Sequence, residues 1–236
     1  EIDQTGIEHG SAVAEIIHDI APDAELVFAA YQTAAEKQAA VDWLVSLNPD
    51  IISSSTGSTF GRRDDKSFLA RMVDDVVGRG ILWVNSSGNT GISHYRAEFK
   101  DENGDGYHEF EPDTRYMGFV PIGGSTLSLN WNDWDAGIQD IDLYVYDTNG
   151  NEIASSTDRQ MGAGSDSGEF MYYEFTDKGP YYVSFYAVNV TRPLILDFFL
   201  RDGELEYYTP EYSVNTPGDS RGALTVGAVD WESGEL

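Results

Sequence analysis

The sequence predicts a mixed α/β chain: part of a parallel sheet with helices on both faces, plus an inserted antiparallel β-sandwich. Three observations predict it. Residues 1–100 alternate amphipathic helices with short apolar strands, which implies parallel strands and crossover helices. From 101 to 214 helical periodicity gives way to alternating runs separated by turn clusters. From about Ser220 an apolar strand of the first kind returns. The predicted organisation is a discontinuous α/β domain, residues 1–100 and 215–236, with the sandwich at 101–214 between its parts.

In order along the chain, His9 opens a helix over Ser11–Asp19 with Ala12, Ile16 and Ile20 at helical spacing, and Ala21-Pro22 closes it. Leu26–Ala30 reads as a short strand. Ala34–Leu47 is a second helix with Ala40, Val41, Leu44 and Leu47 on one stripe, stopped by Asn48-Pro49. Ile51–Ser55 is the next strand, and Lys66–Val77 a third helix closed by Gly78 and Gly80. The strand Ile81–Asn85 then runs into Ser86-Ser87-Gly88-Asn89-Thr90-Gly91. In the sandwich the alternating runs include Thr126–Trp131, Ile141–Tyr146, Phe170–Phe175, Tyr181–Tyr186 and Leu194–Leu200, with turns at Asp147–Gly150 and Asp177–Pro180. Ala223–Val229 reads as a buried strand of the α/β part. No internal repeat is visible.

Composition narrows the function. The 236 residues, 41% hydrophobic, can bury a substantial core. Acidic residues outnumber basic ones 41 to 14, a net charge of -27, and only four of the basic residues are Lys. Such a field repels nucleic acid and anionic membrane surfaces, and it suits a protein kept soluble in salt or one that attracts cations. With no cysteine, disulfides, thiol catalysis and cysteine zinc sites are excluded. No apolar run approaches the ~20 residues of a membrane span, so no membrane insertion is expected. Glu1-Ile2-Asp3 lacks a signal-peptide shape and Glu235-Leu236 ends in mid-pattern; both ends read as cut from a longer protein.

Three segments carry the strongest motif signals. His9-Gly10-Ser11-Ala12-Val13-Ala14 with Ala21-Pro22, Ser87-Gly88-Asn89, and Asp219–Ala228 resemble, in order and in sheet context, the histidine motif, the oxyanion segment and the lead-in to the serine motif of the subtilisin-like serine proteases. The resemblance covers about half the chain. It implies a subtilisin-like parallel sheet and a peptide-bond hydrolase working by acyl transfer to serine. His9 would be the general base and then acid, because a serine hydroxyl is a poor nucleophile until its proton is taken. Asn89 would donate its amide to the oxyanion, and Gly88 would let the backbone turn after the strand. Ser55-Thr56-Gly57-Ser58 would pair with an extended substrate. Outside that context a His-Gly pair reads as an exposed histidine, and Gly-Asn and Ser-Thr-Gly as ordinary turns. His18 lies on the opposite side of the helix and reads as structural.

Two departures matter. Asp3, six residues before His9 and with no strand ahead of it, reads as a loop residue rather than the triad aspartate. No Gly-Thr-Ser-type motif occurs before Leu236, and Ser55 has no sharp glycine-flanked elbow. The chain is therefore expected to hold the base and the oxyanion donor without the nucleophile. Its partners would be a protein or peptide substrate and the remaining parts of the same polypeptide. A secreted location is what the resemblance and the acidity imply.

Chemistry needs no cofactor, but calcium is a candidate. Asp101-Glu102-Asn103-Gly104-Asp105-Gly106 has the rhythm of a calcium loop, with Asp101, Asn103 and Asp105 as ligands, although Pro112 stands where a bidentate glutamate would complete it. The alternative is a plain hairpin turn. Asp140, Asp142 and Asp147 form a second acidic cluster, on a strand resembling those of prepeptidase C-terminal-type sandwiches. The dense aromatics, Trp131, Trp134, Tyr144, Tyr146, Tyr172, Tyr173, Tyr181, Tyr182 and Tyr186, read chiefly as core and strand bracing. The competing functions are a binding module recognising protein or polysaccharide through the sandwich, and an inactive protease homologue.

Overall fold

A computed structural model describes residues 4–229 and 232; Asp3, Glu235 and Leu236 lie outside the described residues. The described residues form three helices and three sheets, one parallel and two antiparallel.

The parallel sheet has the order β1 (Ile51–Ser54), β2 (Leu82–Ser86), β12 (Leu224–Val226). Strand β1 pairs with β2 from Ile51↔Leu82 to Ser54↔Asn85, and β12 pairs with β2 from Leu224↔Val84 to Val226↔Ser86. Two helices supply the apolar layer on one face, α2 (Ala34–Ser46) and α3 (Phe68–Gly78): Val41, Met72, Val73 and Val76 bury Ile52 and Trp83 of the strands. Their starts follow from side chains that satisfy free amide groups. Thr33 and Glu36 form a reciprocal capping box on α2, and Ser67 accepts from Ala70 N on α3. The backbone amides of Gln32 and Thr33 hold the Glu36 carboxyl below its ordinary range.

The opposite face carries Ile51, Leu82, Leu224 and Val226, all about half exposed. The buried strand expected over Ala223–Val229 is therefore shorter and open on one side, because among the described residues no element packs over that face. The strand expected at Leu26–Ala30 does not form, and Leu26, Val27 and Phe28 are exposed. An apolar run becomes a strand only beside a partner edge, and none lies beside it among the described residues. Helix α1 (Gln4–Ile20) begins earlier than expected, so His9 sits within it rather than at its start. No proline interrupts the sequence between Gln4 and His9.

The second region is built from two antiparallel sheets. One has the order β3 (His94–Glu98), β10 (Ile195–Leu200), β5 (Gly124–Trp131), β8 (Gly168–Glu174). The other has the order β11 (Gly203–Leu205), β4 (Met117–Pro121), β9 (Tyr181–Asn189), β6 (Asp140–Tyr146), β7 (Glu152–Ser156). Their inward residues form one core: Leu127, Leu129, Trp131, Leu196 and Phe198 from the first, Ile141, Leu143, Val145, Val183 and Phe185 from the second, all fully buried. Each such side chain contributes roughly 1.5–3 kcal/mol by leaving water. The period-two pattern of the sequence maps directly onto this core, with Tyr172 on the outer side of β8. The four-stranded sheet begins before residue 101, since β3 pairs with β10.

The segment after β1 ties the two regions together. Ser128 and Asn130 on β5 donate to the Thr59 carbonyl at 3.1 and 2.9 Å, and Gly61 N donates to Asn130 Oδ1 at 2.8 Å. Arg63 lies over the Phe199 ring at 4.3 Å and donates to the Val214 carbonyl. Among the described residues no helix is long and apolar enough to cross a membrane.

Candidate active site at the edge of the parallel sheet

Because β1 and β2 run parallel and in register, the segments leaving their C-terminal ends emerge side by side. These are Ser55–Gly57 and Ser87–Asn89. Open α/β sheets present their ligand sites at this edge.

His9 reaches the first segment from α1. Its Nε2 lies 3.2 Å from the Ser55 carbonyl, which can only accept, so Nε2 carries the proton. The ring is exposed, and Phe28 lies against the helix beside Gly10. Beneath Ser55, Thr56 Oγ1 accepts from the buried Lys37 ammonium at 3.2 Å and shares a hydrogen bond with Tyr31. The Lys37 charge also sits 5.2 Å from the Tyr31 ring centroid, which compensates a buried cation. Asn85, buried at the end of β2, accepts from Trp83 Nε1 and donates to the Ser86 carbonyl at 2.7 Å. The edge therefore rests on a layer of bonded polar groups, which fixes its backbone.

Asn89 follows β2 and is exposed. Gly88 before it has φ +98, a conformation that favours glycine. A side chain on Gly88 or Gly57 would run into Asn215, a residue that sequence reading does not single out. Asn215 N donates to the Ser87 carbonyl at 2.9 Å, while Ser58 and Thr216 exchange backbone bonds at 2.8 and 3.1 Å. The chain returning from the antiparallel sheets thus packs between the two edge segments. A lone Asn in a loop carries no signal that would have revealed this.

The edge brings together His9, Ser55, Thr56, Gly57, Gly88 and the loop of Asn89. Among the described residues, the His9 ring bonds only to the Ser55 carbonyl, and no hydroxyl lies on it as a nucleophile would.

Asp101, Asn103 and Asp105 lie elsewhere, on the turn before β4. Asp101 accepts from Gly104 N at 2.8 Å and Gly106 N at 3.0 Å, Asn103 from Asp105 N at 2.9 Å, and Asp105 from Tyr107 N at 2.9 Å. All three cap the turn's own amides. Asp147 does not join Asp140 and Asp142; it accepts from the Asn151 side-chain amide, Asn151 N and Asn149 N in its own turn, and those bonds hold its carboxyl below the usual range. Glu169, distant in sequence, takes that place instead.

The fold is similar to that of the CspB protease of Clostridium perfringens, with a TM-score of 0.58 and 12% identity over 87% of this chain and 48% of that one. The chain thus spans about half the length of that protease. The infectious bursal disease virus VP2 subviral particle matches 50% of this chain and 38% of its own at 11% identity, but with a TM-score of only 0.23. No protein-family model matches the chain, and no curated protein does.

Proposed function

We propose that this chain is part of a subtilisin-like serine endopeptidase, carrying the general base and the oxyanion donor, with a β-sandwich inserted before the nucleophile. One observation carries the reading. His9 and the Asn89 loop lie at the C-terminal edge of one parallel sheet, with His9 bonded to the segment beside that loop. The likeness to a protease fold supports it.

In this reading a serine supplied by the rest of the polypeptide attacks the scissile carbonyl while His9 takes its proton. The Asn89 amide steadies the oxyanion, and His9 returns the proton to the leaving amine. The Ser55-Thr56-Gly57 backbone lines the substrate strand. The bond from His9 to the Ser55 carbonyl holds the ring at the edge until the nucleophile and substrate take their places. The enzyme acts on protein or peptide substrates outside the cell, where its acidic surface keeps it dispersed.

The test is peptide hydrolysis by the full-length protein. His9→Ala should abolish turnover, and Asn89→Ala should lower kcat by about 10²–10³ with KM little changed. Full turnover in His9→Ala would end the proposal.

A further inference from the structure

Between the two antiparallel sheets lies a set of charges that the peptidase reading does not use. Asp140 and Asp142 stand on β6, and Glu169 comes from β8 of the other sheet; their ligand-capable oxygens lie within 4.8 Å of one another. Asp140 is 4% exposed, Asp142 9% and Glu169 not at all. No salt bridge reaches any of the three among the described residues. Arg159, which lowers the Asp140 pKa against the effect of burial, is itself exposed.

Part of their hydrogen-bonding capacity is met, and what remains is telling. Tyr144 Oη donates to Asp142 Oδ2 at 2.8 Å, while Ser156 Oγ and Asp158 N both donate to Glu169 Oε2. Glu169 Oε1 and Asp140 Oδ1 are buried, and among the described residues neither has a partner at hydrogen-bonding geometry. Gln160 lies against both residues and also keeps a buried, unpartnered side-chain oxygen. Buried carboxylate oxygens are expensive to leave unpaired. Here two from opposite sheets are left open beside a third acid.

We propose that Asp140, Asp142 and Glu169 form a calcium site that clamps the β7–β8 connection across the two sheets. The ligands are all oxygen, which selects a hard cation over zinc or copper. Calcium holds its ligands at about 2.3–2.6 Å, so two oxygens on one ion are at most about 5 Å apart, as these are. Magnesium keeps several waters and demands a tight octahedron, which a buried site between two sheets does not suit. The site is independent of the Asp101 turn and of the peptidase reading.

The experiment is titration of the EDTA-treated chain with CaCl2, by calorimetry and by thermal unfolding, with MgCl2 as comparison and salt high enough to screen the surface charge. Wild type should bind one tight Ca²⁺ and melt higher with it. TbCl3 should show luminescence sensitised by Tyr144, displaced by Ca²⁺. Glu169→Gln and Asp140→Asn should weaken Ca²⁺ by more than about tenfold, and Asp105→Asn should leave this binding unchanged. Two results overturn the proposal. One is binding that survives Glu169→Gln and Asp140→Asn but vanishes in Asp105→Asn. The other is a wild type that gains nothing from Ca²⁺ while Glu169→Gln melts higher than it, showing acids that merely share protons.

Discussion

The Asn215 side chain occupies the space beside Gly88 that any larger residue would fill. A Cβ on Gly88 would lie 2.7 Å from Asn215 Cγ and closer still to its amide nitrogen. Gly88 also has φ +98. Gly88→Ala should cost of order 1–3 kcal/mol in urea unfolding, from strain and overlap together. Asn215→Gly should restore the overlap part only. If the double variant recovers full stability, the backbone conformation contributes nothing and the account of this edge is wrong.

A second prediction concerns acid. His108 is fully buried, with Lys100 N donating to its Nδ1 at 3.1 Å, so its proton sits on Nε2, 3.0 Å from Tyr95 Oη. Burial, and then the Lys100 charge, push its pKa down to about 4. The unfolded chain, with a histidine near 6.5, binds this proton first. The stability due to neutral His108 is therefore full above pH 6.5 and lost as pH falls toward 4, about 1–3 kcal/mol in all. Glu169, pushed up to about 7 mainly by burial, acts in the opposite sense, contributing stability that is lost as pH rises through 7. The difference between wild type and His108→Gln isolates the histidine. Equal slopes for the two between pH 7 and 4 would refute this.

The contrast between buried and surface ion pairs gives a third. Asp197 is 3% exposed and accepts from His94 at 3.0 Å and from Arg96 at 2.7 and 2.8 Å, while the other His94 nitrogen faces the Thr209 carbonyl. Asp197→Ala strands these partners and should cost about 3–5 kcal/mol. The exposed Arg79–Asp75 pair, also close at 2.6 Å, is an i,i+4 surface bridge. Asp75→Ala should cost about 0.3–0.5 kcal/mol. Chemical denaturation of both variants checks the ranking.

What the sequence revealed, and what it hid, follows from the range of the interactions. Helix α2 was legible almost to the residue because its limits are local: the Thr33–Glu36 box at one end and Asn48-Pro49 at the other. The β6 and β9 strands were legible because alternation records which side faces a core. Leu26–Ala30 misled because its apolar character does not say whether a partner edge exists. The loop carrying Asn89 was legible from the strand pattern before it, but the place of His9 within a helix was not, nor was Asn215, since its contacts depend on a return from far along the chain. Asp140 and Asp142 were visible as an alternating pair. Glu169 was not, because it reaches them from another sheet, whereas the nearer Asp147 is consumed by its own turn.

A fourth prediction tests the proposal that the nucleophile lies outside these residues. The 236-residue chain alone should take no label from a serine-directed fluorophosphonate, since His9 lies on a carbonyl rather than a hydroxyl. Labelling of Ser11, Ser55 or Ser87 would reassign the roles at this edge.

The last prediction separates a capped turn from a metal loop at Asp101. Both oxygens of its carboxylate accept backbone amides, from Gly104 and Gly106, and each residue has positive φ. Bonds from amides to a charged acceptor contribute about 1.5–3 kcal/mol, less where water competes. Asp101→Ala should therefore destabilise the chain by about 1–2 kcal/mol in EDTA, with no metal present. Asp101→Asn keeps one acceptor oxygen and should lose roughly half as much. The same melts repeated in Ca²⁺ decide the matter. A cost that is equal with and without Ca²⁺ means the carboxylate serves the turn itself. A cost that is absent in EDTA and appears only with Ca²⁺ would make Asp101 a metal ligand, and the capping bonds incidental.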